Sequence, residues 1–202
     1  MKLYDSQLAP NPRRVRIFLA EKGIEVPTVQ VDIGKGEHQE PEFLAKNALG
    51  RVPVLELDDG STIAESVAIC RYFEGTQPEP PLMGTDVLDR ARVEMWQRRM
   101  ELEVLLNSAQ SFRNTHDYVK GRITQVPEYG ELCKATAIQR LEWLDEVLAD
   151  REFIAGDRYT IADITALVGI DFGRITGIAV APDQKNLARW HAAVSERPSA
   201  KA

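Results

Sequence analysis

Residues that carry much of protein chemistry are scarce in this chain. Its 202 residues include only two cysteines, Cys70 and Cys133, so no disulfide framework is possible. The expectation is a cytoplasmic protein with both thiols reduced. No metal-ligand spacing, phosphate-binding loop or dinucleotide glycine fingerprint occurs, so no metal or cofactor is expected. No apolar run approaches the ~18 residues that span a bilayer, which argues against a membrane protein. The opening Met1-Lys2-Leu3-Tyr4-Asp5-Ser6 lacks the apolar run of a secretory signal and reads as a strand. Basic charge is short as well: 25 Lys and Arg against 31 Asp and Glu leave a net charge of -6, the wrong sign for a nucleic-acid binder. The one dense basic cluster, Arg13, Arg14 and Arg16, reads as the solvated face of a helix. What is present is an ordinary globular balance, 44% hydrophobic and 28% charged, which excludes disordered and collagen-like chains. The length suits one large domain or two small ones.

Gln77-Pro78-Glu79-Pro80-Pro81 divides the chain, because prolines at this density continue neither a helix nor a central strand. The expected organisation is a domain over 1–77, a stiff linker over 78–84 and a second domain over 85–202. Before the linker, strands are expected at Lys2–Asp5, Val26–Val31, Val54–Leu57 and Ser61–Ala64. Helices are expected at Pro12–Lys22, Pro41–Lys46 and Ser66–Glu74. This βαβ-α-ββα order is the arrangement of a thioredoxin-like α+β domain. After the linker the pattern is all-α. Val93, Trp96, Met100 and Val104 predict one long helix from Asp86 to about Asn107. Further helices are expected at Gly130–Leu148, Thr160–Arg174 and Leu187–Val194, with Thr160-Ile161-Ala162-Asp163 as an N-capping signature.

The most informative segments are Gly50-Arg51-Val52-Pro53-Val54-Leu55 and Ala64-Glu65-Ser66-Val67-Ala68-Ile69. With the strand order and the helical second half, they resemble the cytosolic glutathione transferase superfamily, in a bacterial form, over essentially the whole chain. The resemblance implies a cis Val52–Pro53 bond, with the Val52 backbone offered to the cysteinyl unit of glutathione. An ordinary trans proline opening an edge strand is the alternative. Ser66 reads as a helix N-cap, and a helix start also suits a carboxylate. The resemblance implies that Ser66 and Glu65 take the carboxylate and ammonium of the γ-glutamyl group. It also sets His38 and Gln39 near the glycyl carboxylate, with a merely solvated loop histidine as the alternative, and Arg51 is a nearby source of the positive charge that Gln39 lacks.

At the catalytic position the chain departs from the family. Thiolate, not thiol, is the nucleophile. Lowering a thiol pKa by about two units takes about 2.7 kcal/mol of preferential thiolate stabilisation. The family places Tyr, Ser or Cys after the first strand for this purpose, and the usual serine position falls on Ala9. The Pro10-Asn11-Pro12 context leaves Asn11 as the candidate donor, as in bacterial classes the chain resembles, with Ser6 in reserve. Asn11 also reads as the helix N-cap, with Pro12 at the first helical position. No cysteine lies between Ser6 and Arg13, which argues against a protein-thiol mechanism, and Cys70 and Cys133 read as buried spectators.

In the helical half, Ser111–Tyr118 reads as a break after the long helix. Its Phe112, Arg113, His116 and Tyr118 are candidate residues for the second-substrate pocket. The expected activity is conjugation of glutathione, a co-substrate, to an apolar electrophilic small molecule. The rivals are glutathione-dependent reduction of disulfides or peroxides, and a non-catalytic binding protein that kept the fold. The resemblance also implies a homodimer, with Arg71, Arg90 and Arg92 near its interface.

Overall fold

The computed structural model describes residues 1–202. They form two units: Met1–Leu82 with Lys201–Ala202, and Met83–Ala200. In the first, strands β1 (Lys2–Asp5), β2 (Thr28–Gln30), β3 (Val54–Glu56) and β4 (Thr62–Ala64) alternate with helices α1 (Pro10–Lys22), α2 (Pro41–Leu44) and α3 (Ser66–Thr76). The sheet order is β2-β1-β3-β4, with β1 parallel to β2 and β3 antiparallel to both neighbours. The expected thioredoxin-like arrangement is borne out. Strand β1 has the expected bounds, and the other three are shorter than the residue pattern predicts, β2 most of all, because only Thr28–Gln30 pair with β1.

Alternation along β1 builds two buried layers. Tyr4 and its pairing partner Val54 join Val31 and Phe43 on one face, with the Tyr4 and Phe43 rings edge-on at 6.0 Å. Leu3, its partner Leu55 and Asp5 occupy the other face, where Arg16 of α1 reaches Asp5. On that side α1 packs on α3, burying Val15, Ile17 and Phe18 with Ile69, Cys70 and Phe73. Each such side chain contributes roughly 1.5–3 kcal/mol when fully buried. The basic cluster is therefore not a solvated face. Arg14 is buried and Arg16 pairs with a buried carboxylate, because the helix turns them inward beside Val15 and Ile17.

Two further devices close the unit. Lys22, fully buried, donates from Nζ to the carbonyls of Gln77 (2.8 Å) and Pro80 (2.8 Å) and pairs with Glu74 at 2.8 Å. This anchors the proline stretch, in which Glu79–Pro80 is cis. On the opposite face Glu56 accepts from Lys46 Nζ (2.7 Å) and Tyr4 Oη (2.9 Å), with Lys2 beside it. Lys46, then Tyr4 and Lys2, hold the Glu56 carboxyl at about 2.

The second unit is all-α: α4 (Val87–Arg99), α5 (Leu106–Thr115), α6 (Pro127–Val147), α7 (Ile161–Gly173) and α8 (Lys185–Ser195). The single long helix expected over 86–107 is interrupted by a π-helical segment, Met100–Leu105, and helix then continues to Thr115. The widened turn leaves carbonyls misaligned, and Asn107 Nδ2 donates to those of Leu102 (3.1 Å) and Glu103 (3.0 Å). Opposite it, Gly169 of α7 lies so close that a Cβ there would stand 3.0 Å from Leu105 Cα. The break expected over 111–118 comes only at His116, so Phe112 and Arg113 are helical. Helix α6 begins three residues early, at Pro127, since proline suits the first turn.

The capping signature ahead of α7 is a complete capping box. Asp163 accepts from Thr160 N–H at 2.9 Å, and also from Ile154 N–H and Trp190 Nε1, each at 2.9 Å. Burial pushes the Asp163 carboxyl up, and these donors oppose that push. Asp163 and Trp190 are fully buried, so this cap is part of the core. No helix is long and apolar enough to cross a membrane.

Candidate active site

The antiparallel register of β3 and β4 pairs Val54 with Ala64. The pairing ends there, so the Val52–Pro53 loop that enters β3 and the Glu65–Ser66 junction that leaves β4 lie at the same end of the hairpin. The Val52–Pro53 peptide is cis. Across from it, Glu65 has φ 68°, the only non-glycine residue in the left-handed half of backbone space. Such conformations cost about 1–3 kcal/mol and gather at functional sites.

Ser66 is not the N-cap that the sequence suggests. Glu65 takes that position, and its turn of backbone moves Ser66 into the first helical position. The first intrahelical bond is Ile69 N–H to Glu65 O, at 3.0 Å. The N–H groups of Ser66, Val67 and Ala68 precede it and have no carbonyl one helical turn back. Three such donors and the positive end of the helix dipole face one direction at the buried Ser66, and the adjoining Glu65 is exposed. That combination matches a zwitterion: a carboxylate for the donors and an ammonium for Glu65.

The residues preceding Val52 are tied to it. Asn47 Nδ2 donates to the Arg51 carbonyl at 2.8 Å. Gly50 sits at φ 56°, and a Cβ there would lie 2.8 Å from the His38 carbonyl and 2.4 Å from Gln39 Nε2. Glycine alone lets the turn carrying His38 and Gln39 rest on the Arg51 loop. Gln39 Nε2 lies 3.4 Å from the Gly50 carbonyl, and His38 Nδ1 is buried with no partner. His38, Gln39, Arg51, Val52 and Pro53 therefore form one cluster. The Arg51 side chain is exposed.

At the start of α1 the sequence reading needs correction. Ala9, not Asn11, is the N-cap, and it makes no side-chain bond. Pro10, not Pro12, is the first helical residue, since either proline suits a first turn and the earlier one wins. Asn11 is exposed in that turn, and its Oδ1 accepts from Arg14 Nη2 at 3.0 Å. This fixes the carboxamide with Nδ2 turned outward as a donor. The first intrahelical bond is Arg13 N–H to Ala9 O, at 3.3 Å. Before it, Pro10 and Pro12 have no N–H, so Asn11 holds the only backbone donor of the turn. Ser6 lies at the head of the connection, and its carbonyl accepts from Ala9 N–H at 3.0 Å.

In the helical unit, Phe112, His116 and Tyr118 gather into an aromatic cluster with Phe172. Phe112 stacks on His116 at 4.7 Å and meets Phe172 edge-on at 5.1 Å. Tyr118 N–H donates to His116 Nδ1 at 3.1 Å, which leaves the neutral ring's proton on Nε2. His116 is thus set as a hydrogen-bond donor, with its lone pair already engaged. The Arg113 side chain is exposed and stands outside the cluster, although its carbonyl accepts from Gln125 Nε2 at 3.0 Å. Cys70 and Cys133 are both buried free thiols, and burial pushes the Cys70 thiol up to about 12, so it stays inert near neutrality.

Two features escaped the sequence reading: the place of Glu65, rather than Ser66, as the cap of α3, and the Arg14 contact that orients Asn11. The first had a signal in the abrupt strand-to-helix junction. The second had only the three-residue spacing of Asn11 and Arg14.

A thioredoxin-like unit with a cis-proline before its third strand, followed by an all-helical unit, defines the architectural class. Comparison with known proteins sharpens it. Residues 1–75 match the family model "Glutathione S-transferase, N-terminal domain", and residues 127–198 match "Glutathione S-transferase, C-terminal domain". Glutathione S-transferase 2 of Saccharomyces cerevisiae is 38% identical over 100% of this chain and 88% of its own. The crystal structure of Gtt2 from the same yeast superposes with a TM-score of 0.94 at 38% identity, covering 100% of this chain and 99% of the other. A glutathione S-transferase domain-containing protein of Marinobacter aquaeolei VT8 also gives 0.94, at 41% identity, covering 98% and 99%. The chain belongs to the cytosolic glutathione transferase superfamily and is a transferase enzyme.

Proposed function

We propose that the protein binds glutathione at the end of the β3–β4 hairpin and joins its sulfur to the electrophilic carbon of an apolar small molecule. The observation that carries this reading is the Val54–Ala64 pairing, which brings the cis Val52–Pro53 loop and the Glu65–Ser66 junction to one end of the hairpin. In it, Val52 offers its backbone to the cysteinyl unit, and Glu65 and the start of α3 take the γ-glutamyl ammonium and carboxylate. His38, Gln39 and Arg51 take the glycyl carboxylate. Asn11 donates to the sulfur through Nδ2 and its backbone N–H, the role Ala9 cannot fill. The thiol proton passes to water, the S–C bond forms, and the leaving group departs with its bonding pair. Holding glutathione in place converts a bimolecular collision into an oriented step. The aromatic cluster of Phe112, His116 and Tyr118 is the proposed surface for the apolar substrate.

Parallel assays with a chlorinated aromatic, a small disulfide and a hydroperoxide test the reading. Conjugation of the aromatic is the expected result. Turnover of only the disulfide or peroxide would make the protein a glutathione-dependent reductase, and turnover of none a binding protein. Phe112→Ala is expected to raise KM for the aromatic and leave KM for glutathione unchanged.

The same reading places the protein in the cytoplasm, as a two-fold homodimer. Leu88 and Met95 of α4 and Leu102 beyond it form an exposed apolar stripe at heptad spacing, and Arg71, Arg90 and Arg92 are exposed. A second copy is the proposed cover for the stripe. Light scattering should give twice the chain mass, with Met95→Lys shifting it toward one. A monomeric wild-type protein overturns this.

A further inference from the structure

The connection between β1 and α1 is held by a closed ring of hydrogen bonds. Asp5, whose side chain is 1% exposed, accepts at Oδ1 from Arg16 Nη1 at 2.6 Å. At Oδ2 it accepts from Gln30 Nε2 at 2.7 Å. The same two partners grip the backbone of Gln7. Arg16 Nη2 donates to the Gln7 carbonyl at 3.0 Å, and Gln7 N–H donates to Gln30 Oε1 at 3.2 Å. Asp5 uses both carboxylate oxygens, Arg16 both terminal nitrogens and Gln30 both ends of its amide. The ring joins β1, α1 and β2 and closes on one residue of the loop.

That loop is short. From Gln7 the chain passes Leu8, Ala9 and Pro10 to Asn11, with Ala9 N–H turned back onto the Ser6 carbonyl. With the Asn11 carboxamide held by Arg14, the backbone path from Gln7 sets where the start of α1 and the Asn11 donors stand. Catalytic groups tolerate misplacement of only about 0.5 Å, and a shift of about 1 Å can cost 100-fold. A ring closed on the buried Asp5 carboxylate, with fixed donor and acceptor directions, meets such a requirement.

We propose that Asp5 is a positioning residue for thiolate formation: through Arg16 and Gln30 it fixes Gln7, and thereby the distance from the Asn11 donors to the sulfur of bound glutathione. This rests on the reading that the start of α1 stabilises the thiolate.

The ring's polarity supplies the test. Asp5→Asn replaces an acceptor by an NH2 that faces the Gln30 NH2. Flipping Gln30 relieves that clash but turns an NH2 on Gln7 N–H. Adding Gln30→Glu restores every bond with the polarity exchanged and returns the lost charge. The pKa of bound glutathione is read from thiolate absorbance against pH, and its Kd by calorimetry. Asp5→Asn and Gln30→Ala are expected to raise that pKa by about half a pH unit or more, roughly three-fold in thiolate near neutrality, with Kd changed less than about two-fold. The double variant Asp5→Asn/Gln30→Glu is expected to return toward wild type. Gln30 is exposed on the edge strand, so Gln30→Ala carries the test if Asp5→Asn does not fold.

Asn11→Ala separates the two levels of the argument. If it raises the bound pKa while Gln30→Ala and Asp5→Asn leave it unchanged, Asp5 has no positioning role and the α1 reading stands. If Asn11→Ala leaves the pKa at the wild-type value, the α1 reading falls and takes this proposal with it.

Discussion

Helices α7 and α3 begin in opposite ways. Every helix leaves its first N–H groups without a carbonyl one turn back. At α7 the chain's own side chains meet this need: Thr160 Oγ1 accepts from Ala162 N–H at 3.3 Å, and Asp163 closes the box back onto Thr160. The whole device is buried and adds Ile154 and Trp190 as further donors. At α3 the cap residue Glu65 makes no such bond, and its unusual backbone turns the helix start outward. Helix α1 is a third case, open like α3 but with prolines at two of the three positions that carry free N–H groups. A start closed by its own residues serves the fold. An open start with its donors intact suits a carboxylate, and one reduced to a single backbone donor and an oriented carboxamide suits a softer, smaller anion such as a thiolate.

The largest expected effect lies at the closed start. Asp163→Ala strands Ile154 N–H, Thr160 N–H and Trp190 Nε1 in the core. The expected loss of stability is about 3–5 kcal/mol, since each buried donor left without a partner costs about 1–3 kcal/mol. Denaturant unfolding measures it. The folded fraction should bind glutathione with unchanged affinity. A weakened Kd without loss of stability would erase the distinction between closed and open starts.

Next comes the open start of α3. Glu65→Ala should weaken glutathione binding by about 10–100-fold, matching the ~1.5–3 kcal/mol of a hydrogen bond to a charged group. Alanine keeps the Cβ, so the backbone cost at φ 68° is unchanged and the loss reports on the carboxylate. Ser66→Ala should cost less, because the N–H groups of Ser66, Val67 and Ala68 remain. Calorimetry that finds both variants at wild-type affinity removes this site.

These helix starts also mark where the sequence was readable. The fold class was legible in the strand order and in two short motifs, because strand alternation and helix period depend on residues close in the chain. Helix α7 was legible for the same reason, since Thr160 and Asp163 sit one turn apart. The caps of α1 and α3 were each misplaced. Two prolines in one turn satisfy the same rule, and the left-handed backbone of Glu65 has no sequence marker when the residue is not glycine. The π segment at 100–105 hid inside a sound helical pattern, because the apolar spacing of Val93, Trp96, Met100 and Val104 runs straight through it. The ring around Asp5 left no trace, since Gln30 and Arg16 reach it from separate elements.

A smaller effect is expected at the start of α1. Asn11→Ala should lower kcat/KM near neutrality by about 1–2 kcal/mol, roughly 5–30-fold, with partial recovery at higher pH where thiolate forms unaided. Asn11→Asp is the sharper variant. One carboxylate oxygen would keep the Arg14 contact, and the other would replace the Nδ2 donor with negative charge. Aspartate should therefore impair turnover more than alanine does, although it suits a helix start. If the Asp variant keeps full turnover near neutrality, Asn11 does not touch the sulfur, and Ser6 becomes the better candidate.

The smallest expected effect separates the pH dependence of the fold from that of the chemistry. Glu56 pairs with Lys2 at the end of β1 away from the α1 connection, and Lys46, Tyr4 and Lys2 hold its carboxyl at about 2 against an ordinary 4.5. A carboxyl depressed by folding contributes stability above its unfolded value and loses it as pH falls through the folded one. The contribution is therefore complete above 4.5 and vanishes toward about 2. Glu56→Gln should unfold at slightly lower denaturant near neutrality, and its stability should fall less steeply with acid across that window. Its kcat/KM profile near neutrality should overlay that of wild type, since no open helix start is touched. Denaturant midpoints across the acid range and one pH–rate profile check both halves. A shifted neutral profile in Glu56→Gln would mean that the β1 network reaches the thiolate, and that the division between folding and binding devices does not hold within this unit.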